Sequence, residues 1–305
     1  MSGAGASAEA GGWRDMAERG GVLGIRILVV LATALGRWAA SAALAVVALW
    51  YVLFDARVRS ASRAYLVRLN GRATLRDVHR HVRCFAQVTL DRLFMVRGDF
   101  RPFEISCHGD EHLRALAAQG RGALLLLAHV GSFEVMRSVS EQQAFTVNVL
   151  GYFRNARRIN DALRSLSGRD DARLIEIRPG DPTFIFEVED CVRRGELVGT
   201  MGDRVGFDGK LVRVPFLGGE AALPTGPYLL AAALGCPVYL TFGLYREPNR
   251  YDLHCEPFAE RVELPRGARD AALRALAARY AERLEHYCRQ APFNWFNFYD
   301  FWSTR

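Results

Sequence analysis

The amino-acid sequence predicts an α/β fold with a mixed, largely parallel central sheet flanked by helices, preceded by an N-terminal hydrophobic membrane helix or helical hairpin. Three observations support this prediction. Leu124–Ala128 is a short apolar run bounded by Gly122 and Gly131, as in a strand buried on both faces. Strand and helix patterns alternate after it, which is typical of parallel sheets. The stretches Val22–Leu35 and Trp38–Phe54 are strongly apolar, and the 305 residues of the chain are enough for a sizeable core.

Residues 1–19 are expected to be a disordered N-terminus, because residues 1–12 are mostly glycine, alanine and serine. Residues 20–60 are the expected membrane anchor. Within them, Trp38–Phe54 runs 17 residues without a charge, close to the shortest length that spans a bilayer. One span after an interfacial helix and a hairpin that enters one leaflet both fit this pattern. A pair of helices buried in a soluble protein is the alternative.

A cluster of arginines follows Phe54, and Asp55 is the only acidic residue between Phe54 and Asp77. Its members are Arg57, Arg59, Arg63, Arg68, Arg72 and Arg76. Such a cluster marks the cytoplasmic side of a membrane segment and binds anionic headgroups. The net charge of +7 likewise favours an anionic membrane, an acidic carrier protein or a phosphorylated substrate as partner. No motif points to nucleic acid, and the six cysteines lack the spacing of a metal site.

The remaining residues, 61–305, are predicted to form one folded domain. Tyr65–Arg97 has the apolar periodicity of a single amphipathic helix, in which His79 and His81 are expected to be solvated. Asp110 is expected to cap the helix that follows the first strand. The predicted strands are Phe103–Cys107, Leu124–Ala128, Phe145–Phe153, Arg173–Ile177, Glu196–Met201, Leu211–Phe216, Pro237–Leu244 and Tyr251–Cys255. The predicted helices are Glu111–Gln119, Ala156–Leu166, Pro182–Arg194, Pro227–Leu234 and Asp270–Gln290.

The central apolar strand leads to a histidine and then to a glutamate. Gly131 permits a tight turn, Ser132 is a candidate N-cap, and Glu134 falls in the first turn of the next helix. His129 therefore lies at the carboxyl end of a strand, where Glu134 can fold back toward it. A neutral imidazole can take a proton from a hydroxyl while a carboxylate holds its other ring nitrogen. Because no nucleophile accompanies the pair, the hydroxyl is expected to belong to a substrate; a structural histidine is the alternative.

Two later stretches also draw attention to function. Gly202, Asp203 and Arg204 follow a predicted strand, at the sheet edge where α/β proteins bind their ligands. The C-terminal tail, Pro292–Trp302, contains seven aromatic residues in eleven. Aromatic residues at this density are expected to pack on the core with one edge facing the membrane.

Together these features resemble the late acyltransferases of lipid A biosynthesis, within the lysophospholipid and glycerolipid acyltransferase superfamily. The resemblance lies in the H-x4-E spacing of His129 and Glu134, the stretch from Gly151 to Arg154, the Asp203–Arg204 cluster and the apolar N-terminal segment. The tail sequence Asn-Trp-Phe-Asn at 294–297 resembles a branch of predicted, aryl polyene-type acyltransferases related to the lipid A enzymes.

The resemblance implies a glycerolipid acyltransferase-like fold for residues 61–305, with His129 as general base and Glu134 as the acid that orients it. The residues expected to bind substrate are Arg154, Asp203, Arg204 and Ser132. The lipid A enzymes often have an Asp-Gln pair where this chain has Asp203-Arg204, so the acceptor stays open.

The implied reaction transfers a fatty acyl chain from acyl carrier protein or coenzyme A to a hydroxyl or amine of a lipid or glycolipid. Its expected place is the cytoplasmic face of the bacterial inner membrane. The acyl thioester is a co-substrate, and no cofactor or metal is expected. A membrane-bound thioesterase or lipid hydrolase and a non-catalytic membrane scaffold are the alternatives, and the sequence does not predict the oligomeric state.

Overall fold

The computed structural model describes residues 30–142, 145–151, 174–178, 180–204 and 210–302. The helices are α1 (Gly36–Phe54), α2 (Ala56–Asn70), α3 (Leu75–Val96), α4 (Asp110–Ala118), α5 (Phe133–Gln142), α6 (Phe184–Arg193), α7 (Gly226–Leu234) and α8 (Arg269–Gln290). The strands are β1 (Glu104–His108), β2 (Ala123–Leu127), β3 (Val147–Gly151), β4 (Leu174–Glu176), β5 (Leu197–Met201), β6 (Leu211–Phe216), β7 (Gly219–Pro224), β8 (Val238–Arg246) and β9 (Arg250–Ala259). The predicted helix Ala156–Leu166 lies outside the described residues.

Seven strands form one sheet in the order β1-β9-β8-β2-β5-β3-β4. β8, β2, β5, β3 and β4 are parallel, whereas β9 runs antiparallel to β8 and parallel to β1. β2 is buried at every residue because helices cover both of its faces. Leu124 packs in the same cluster as Leu284 of α8, and Leu127 packs with Val135 of α5. The predicted α/β fold with a mostly parallel sheet is confirmed.

The stretch Tyr65–Arg97, expected as a single helix, is divided between α2 and α3. Gly71 ends α2 in the left-handed conformation, with φ +76°. Thr74 then begins α3 in a capping box, in which its hydroxyl accepts the Asp77 amide at 3.2 Å. The apolar periodicity continues on both sides of this short break, which is why the pattern alone did not reveal it.

Two smaller features also differ from expectation. Asp110 does not cap α4: the N-cap is Gly109, and Asp110 forms an ion pair with Arg114 one turn later. The strand Gly219–Pro224 was not predicted, because it contains no β-branched or aromatic residue. It pairs with β6 as a separate antiparallel hairpin.

The apolar helix α1 lies against the rest of the domain. Its buried stripe consists of Arg37, Ala40, Leu44, Ala48 and Val52, which recur at helical spacing. Within the described residues, α1 is the helix that is long and apolar enough to cross a membrane by length and composition. The expected boundary between residues 60 and 61 falls inside α2, and the division into anchor and domain stays a prediction.

Candidate active site

β2 and β5 are neighbouring parallel strands, so the residues that follow them meet at one edge of the sheet. His129 follows β2 and Asp203 follows β5, and the two are in contact although 74 positions separate them in the chain. The Leu127 carbonyl at the end of β2 anchors this edge. It accepts the Gly202 amide at 2.9 Å and the Tyr280 hydroxyl at 2.7 Å. The strand order thus brings together two residues that the sequence indicated separately.

Asp203 holds the imidazole of His129. Its Oδ1 lies 2.7 Å from Nδ1 of the ring, and its Oδ2 accepts the His129 backbone N–H at 3.0 Å. An ionised carboxylate only accepts hydrogen bonds, so Nδ1 carries the proton of the neutral ring and Nε2 has a free lone pair. Within the described residues Nε2 has no hydrogen-bond partner, and the side chain keeps 26% of its surface exposed. The ring can therefore accept a proton from a bound molecule.

Glu134 does not make the contact with His129 that was expected from the sequence. Its Oε1 accepts from Nε and Nη2 of Arg137 at 3.0 and 2.5 Å, and its Oε2 lies 3.4 Å from Nη2 of Arg92. Arg137 is three residues further along α5 and therefore on the same helical face, so a local ion pair takes this carboxylate. The expected orienting contact is corrected to Asp203. A part for Glu134 in the reaction stays a prediction.

The C-terminal tail completes the surroundings of Asp203. Trp295 Nε1 and Asn297 Nδ2 both donate to Oδ2 of Asp203, at 3.0 and 3.1 Å. The side-chain carbonyl of Asn297 accepts from Nε of Arg204 at 2.7 Å, so this one amide joins the carboxylate to the guanidinium. The sequence predicted that the tail packs on the core with one edge facing the membrane. The polar residues between its aromatic ones were the available signal for this further role.

A buried histidine from α3 secures the tail. The Nε2 of His81 lies 2.8 Å from the Trp295 carbonyl, and its Nδ1 lies 2.8 Å from the Ser62 hydroxyl. His81 is fully buried, so the expectation that it is solvated is wrong. Burial lowers its pKa to about 4, and the neutral ring then donates to the carbonyl and accepts from the hydroxyl. Beside it, the Phe296 amide donates to the His129 carbonyl at 2.8 Å.

Burial and nearby charges set the protonation of the site. Burial and the Arg204 charge lower the pKa of His129 below its ordinary 6.5, although Asp203 acts in the opposite direction. Burial would raise the pKa of Asp203, but attraction to His129, the hydrogen bond between them and Arg204 hold it well below its ordinary value. Burial would also raise the pKa of Glu134, but its two arginines lower it. At neutral pH the site therefore contains a neutral imidazole and two ionised carboxylates.

The turn between β2 and α5 determines where His129 lies. Gly131 has φ +63°, and a Cβ atom there would collide with the carbonyl of Gly243 on β8. The Ser132 hydroxyl accepts the Val135 amide at 3.2 Å, which confirms Ser132 as the expected N-cap. Its predicted part in substrate binding stays a prediction. Arg154, which was also expected to bind substrate, lies outside the described residues.

An apolar cleft that opens to solvent lies between α5 and the sheet, and the space in it, including the part open to solvent, is about 570 Å³. Its lining includes Leu127 and Phe133, which flank the turn that carries His129, and Met136 further along α5. Thr241 of β8 also lines it, and within the described residues its buried hydroxyl has no hydrogen-bond partner. A mainly apolar cleft with a few polar groups suits a molecule with a long apolar part.

Residues 83–304 match the family model described as bacterial lipid A biosynthesis acyltransferase. The match includes the strands that carry His129 and Asp203 and the C-terminal tail up to Trp302. A comparison with curated proteins gives no match. The chain therefore belongs to the bacterial lipid A biosynthesis acyltransferase family and is an acyltransferase of the lipid A type.

Proposed function

We propose that this member of the lipid A biosynthesis acyltransferase family moves a fatty acyl chain from a thioester to a hydroxyl or amine of a lipid or glycolipid. The donor is acyl carrier protein or coenzyme A, and no further cofactor takes part. The observation that carries the proposal is the contact between His129 and Asp203, in which a buried carboxylate holds Nδ1 and leaves Nε2 open. His129 is the general base, and Asp203 is its positioning residue.

In the proposed reaction, Nε2 of His129 takes the proton of the acceptor hydroxyl as its oxygen attacks the thioester carbonyl. A carbon–oxygen bond forms and the carbonyl oxygen becomes an oxyanion. When this intermediate collapses, the carbon–sulfur bond breaks and the leaving thiolate takes the proton back from His129. Asp203 stabilises the imidazolium in between. Positive charge for the oxyanion or for an anionic part of the substrate comes from Arg92, Arg137 and Arg204.

The apolar cleft between α5 and the sheet is the proposed site of the acyl chain. Leu127 and Phe133, which line it, lie two residues before and four residues after His129 in the chain, so the proposed chain site adjoins the turn that follows the base. Arg137 also lines it while holding Glu134, which links the cleft to the ion-pair cluster. The lining of leucine, phenylalanine and methionine matches a saturated chain in polarity.

The proposed location is the cytoplasmic face of the bacterial inner membrane. Support comes from the exposed apolar surface of α1 and from the arginines that follow it on α2. The net charge of +7 also suits acyl carrier protein, because an acidic carrier is attracted to a basic surface.

The proposal is tested with a radiolabelled acyl thioester, membrane lipids and the purified protein. Acylated lipid made by the wild type and lost in a folded His129→Ala variant supports it. The matched control is His286→Ala, because His286 is exposed on α8, where it contacts Gln290 and Tyr287 and lines neither the cleft nor the proposed base. Free fatty acid without acylated lipid would establish a thioesterase or lipid hydrolase instead. Full activity of His129→Ala would contradict the proposal. No turnover by the wild-type protein would also contradict it and would instead indicate a non-catalytic scaffold.

Lipid mass spectrometry of cells with and without the protein identifies the acceptor. A mass difference of one acyl chain on one lipid class gives the acceptor and the chain length together. No such difference in any lipid class would contradict transfer to a membrane lipid.

A further inference from the structure

We propose that α1 lies in the plane of the membrane, within one leaflet, and does not cross the bilayer. The inference rests on the membrane association proposed above and specifies its geometry. The contact surface is the apolar face of α1, defined by the exposed residues Trp38, Val46, Val47, Leu49, Trp50, Leu53 and Phe54. Most of the large exposed apolar side chains among the described residues lie on this helix or directly before it. Seven large apolar side chains exposed on one face of a helix indicate a binding partner.

The start of α1 is fixed to the domain by a buried ion pair. Nε and Nη2 of Arg37 donate to the two carboxylate oxygens of Asp91 at 2.8 and 2.9 Å, and Nη2 also donates to the Pro248 carbonyl at 2.7 Å. Arg37 is 6% exposed and Asp91 is fully buried. One turn further on, the Ser41 hydroxyl donates to Gln87 at 2.5 Å. Separating α1 from α3 would leave a buried charge without its partner.

The rest of α1 follows α3 in the antiparallel direction. The contacts move from Asp91 toward the start of α3 as α1 proceeds, and Ala48 and Val52 share a core with Val82. A crossing α1 would therefore carry α3 into the hydrocarbon. α3 exposes Arg76 and Arg80, and charged side chains are strongly disfavoured there. An in-plane α1 leaves these charges in water or among headgroups.

The tryptophan spacing is an independent argument. Trp38 and Trp50 are 71% and 55% exposed on the apolar face of α1. They are about 18 Å apart along a helix that rises 1.5 Å per residue, whereas the hydrocarbon core of a bilayer is about 30 Å thick. Because tryptophan favours the interfacial level, both residues fit one interface of the membrane and cannot occupy both.

The charge beside α1 indicates which surface covers the apolar face. α2 begins after the single residue Asp55, and its exposed arginines include Arg57, Arg63 and Arg68. An apolar face flanked by arginines is the pattern of an interfacial anchor on anionic lipid. A second copy of this chain would be equally basic, so an anionic leaflet is the favoured occupant.

The in-plane arrangement also has a consequence for the reaction. The helix α3, against which α1 packs, also contains Arg92. The Nη2 atom of Arg92 contacts Glu134 at the candidate site. One helix therefore joins the membrane surface to the edge of the sheet where His129 lies. A lipid acceptor could reach the base from the headgroup region without leaving the membrane surface.

The test measures the depth of three tryptophans on the apolar face of α1 in the full chain. The reporters are Trp38, Trp50 and the residue introduced by Val46→Trp, each alone on α1 after replacement of the others by phenylalanine. Vesicles of phosphatidylethanolamine and phosphatidylglycerol carry bromine at different positions along the acyl chain and quench the fluorescence. The Trp38→Phe/Trp50→Phe variant gives the signal of the other tryptophans, which is subtracted.

Three positions on a straight helix that crosses the bilayer cannot all lie at the same distance from its centre. We expect similar quenching at all three, strongest with bromine nearest the headgroups, because the three positions lie on one face of an in-plane helix. A helix that crosses the bilayer would place positions 38 and 46 about 12 Å apart in depth, with Val46→Trp quenched most strongly by bromine near the chain ends. That result would overturn the in-plane arrangement and leave membrane association intact. Absence of quenching at all three positions would overturn both the in-plane arrangement and the membrane association of α1. Lipid acylation is measured separately and shows whether the proposed reaction holds in either case.

Discussion

Asp203 and Glu134 are two buried carboxylates near one edge of the sheet, yet their surroundings differ. Asp203 is held by neutral donors from the tail and by a ring that can titrate, whereas Glu134 is held by two arginines. An imidazole can release a proton at neutral pH and an arginine cannot. The Asp203 region is therefore suited to proton transfer, and the Glu134 region to holding positive charge beside the apolar cleft. Proximity in sequence to a histidine does not decide which acid orients it.

The largest expected effect is that of Asp203→Asn. The amide keeps the size of the carboxylate but no longer stabilises the imidazolium or enforces a proton on Nδ1 of His129. We expect kcat/KM to fall about 10²–10⁴-fold, with KM changed much less than kcat. Steady-state acyl transfer by a variant whose thermal transition matches the wild type checks this. A loss of less than threefold would show that Asp203 has no positioning role.

Glu134→Gln is expected to act mainly on stability. Removing one partner of a buried ion pair costs about 3–5 kcal/mol, and we expect about 2 kcal/mol here, because Arg92 is 31% exposed and glutamine still accepts a hydrogen bond. The folded-state pKa of Glu134 lies below 4.5, so its contribution is full above pH 4.5 and is lost as the pH falls through that lower value. Denaturant unfolding from pH 7 down through the acidic range measures both. A loss of stability that stays constant across that range would contradict this interpretation.

Trp295→Phe tests the tail with a smaller change. It removes one hydrogen bond to the Asp203 carboxylate and keeps an aromatic ring in the core. A hydrogen bond to a charged group contributes about 1.5–3 kcal/mol, and Asn297 still donates to the same oxygen, so we expect kcat/KM to fall about 10-fold. The control is Trp302→Phe, whose indole donates to the Phe216 carbonyl and not to the site. Equal losses in both variants would mean that the tail acts through packing alone.

Met136→Phe has the smallest expected effect on rate and concerns only the cleft. A phenylalanine ring there shortens the space between α5 and the sheet, so we expect a preference for shorter acyl chains, with a discrimination of roughly 1–3 kcal/mol. Competition between donors of different chain length measures the ratio. An unchanged ratio would remove the cleft as the acyl site and leave the roles of Asp203 and His129 untouched.

The strand that carries His129 could be predicted because Leu124–Ala128 is apolar at every position and the glycine-containing turn follows directly. The partner of His129, Asp203, could not be predicted. Their contact depends on β5 lying beside β2, which is a property of strand order and not of local sequence pattern. The same limit applies to Trp295. Its aromatic surroundings predicted packing, whereas its hydrogen bond to Asp203 exists only once the tail crosses the end of β2.

The pH dependence of kcat/KM for the wild type, Asp203→Asn and Glu134→Gln tests most directly whether Asp203 holds the base. Activity is present while His129 is neutral and is lost as the pH falls through its pKa, which lies below 6.5 in the wild type. Asp203 raises that pKa against burial and Arg204, so Asp203→Asn should move the acidic limb to lower pH, and Glu134→Gln should leave it in place. A limb that moves in Glu134→Gln and stays fixed in Asp203→Asn would show that Glu134 orients His129.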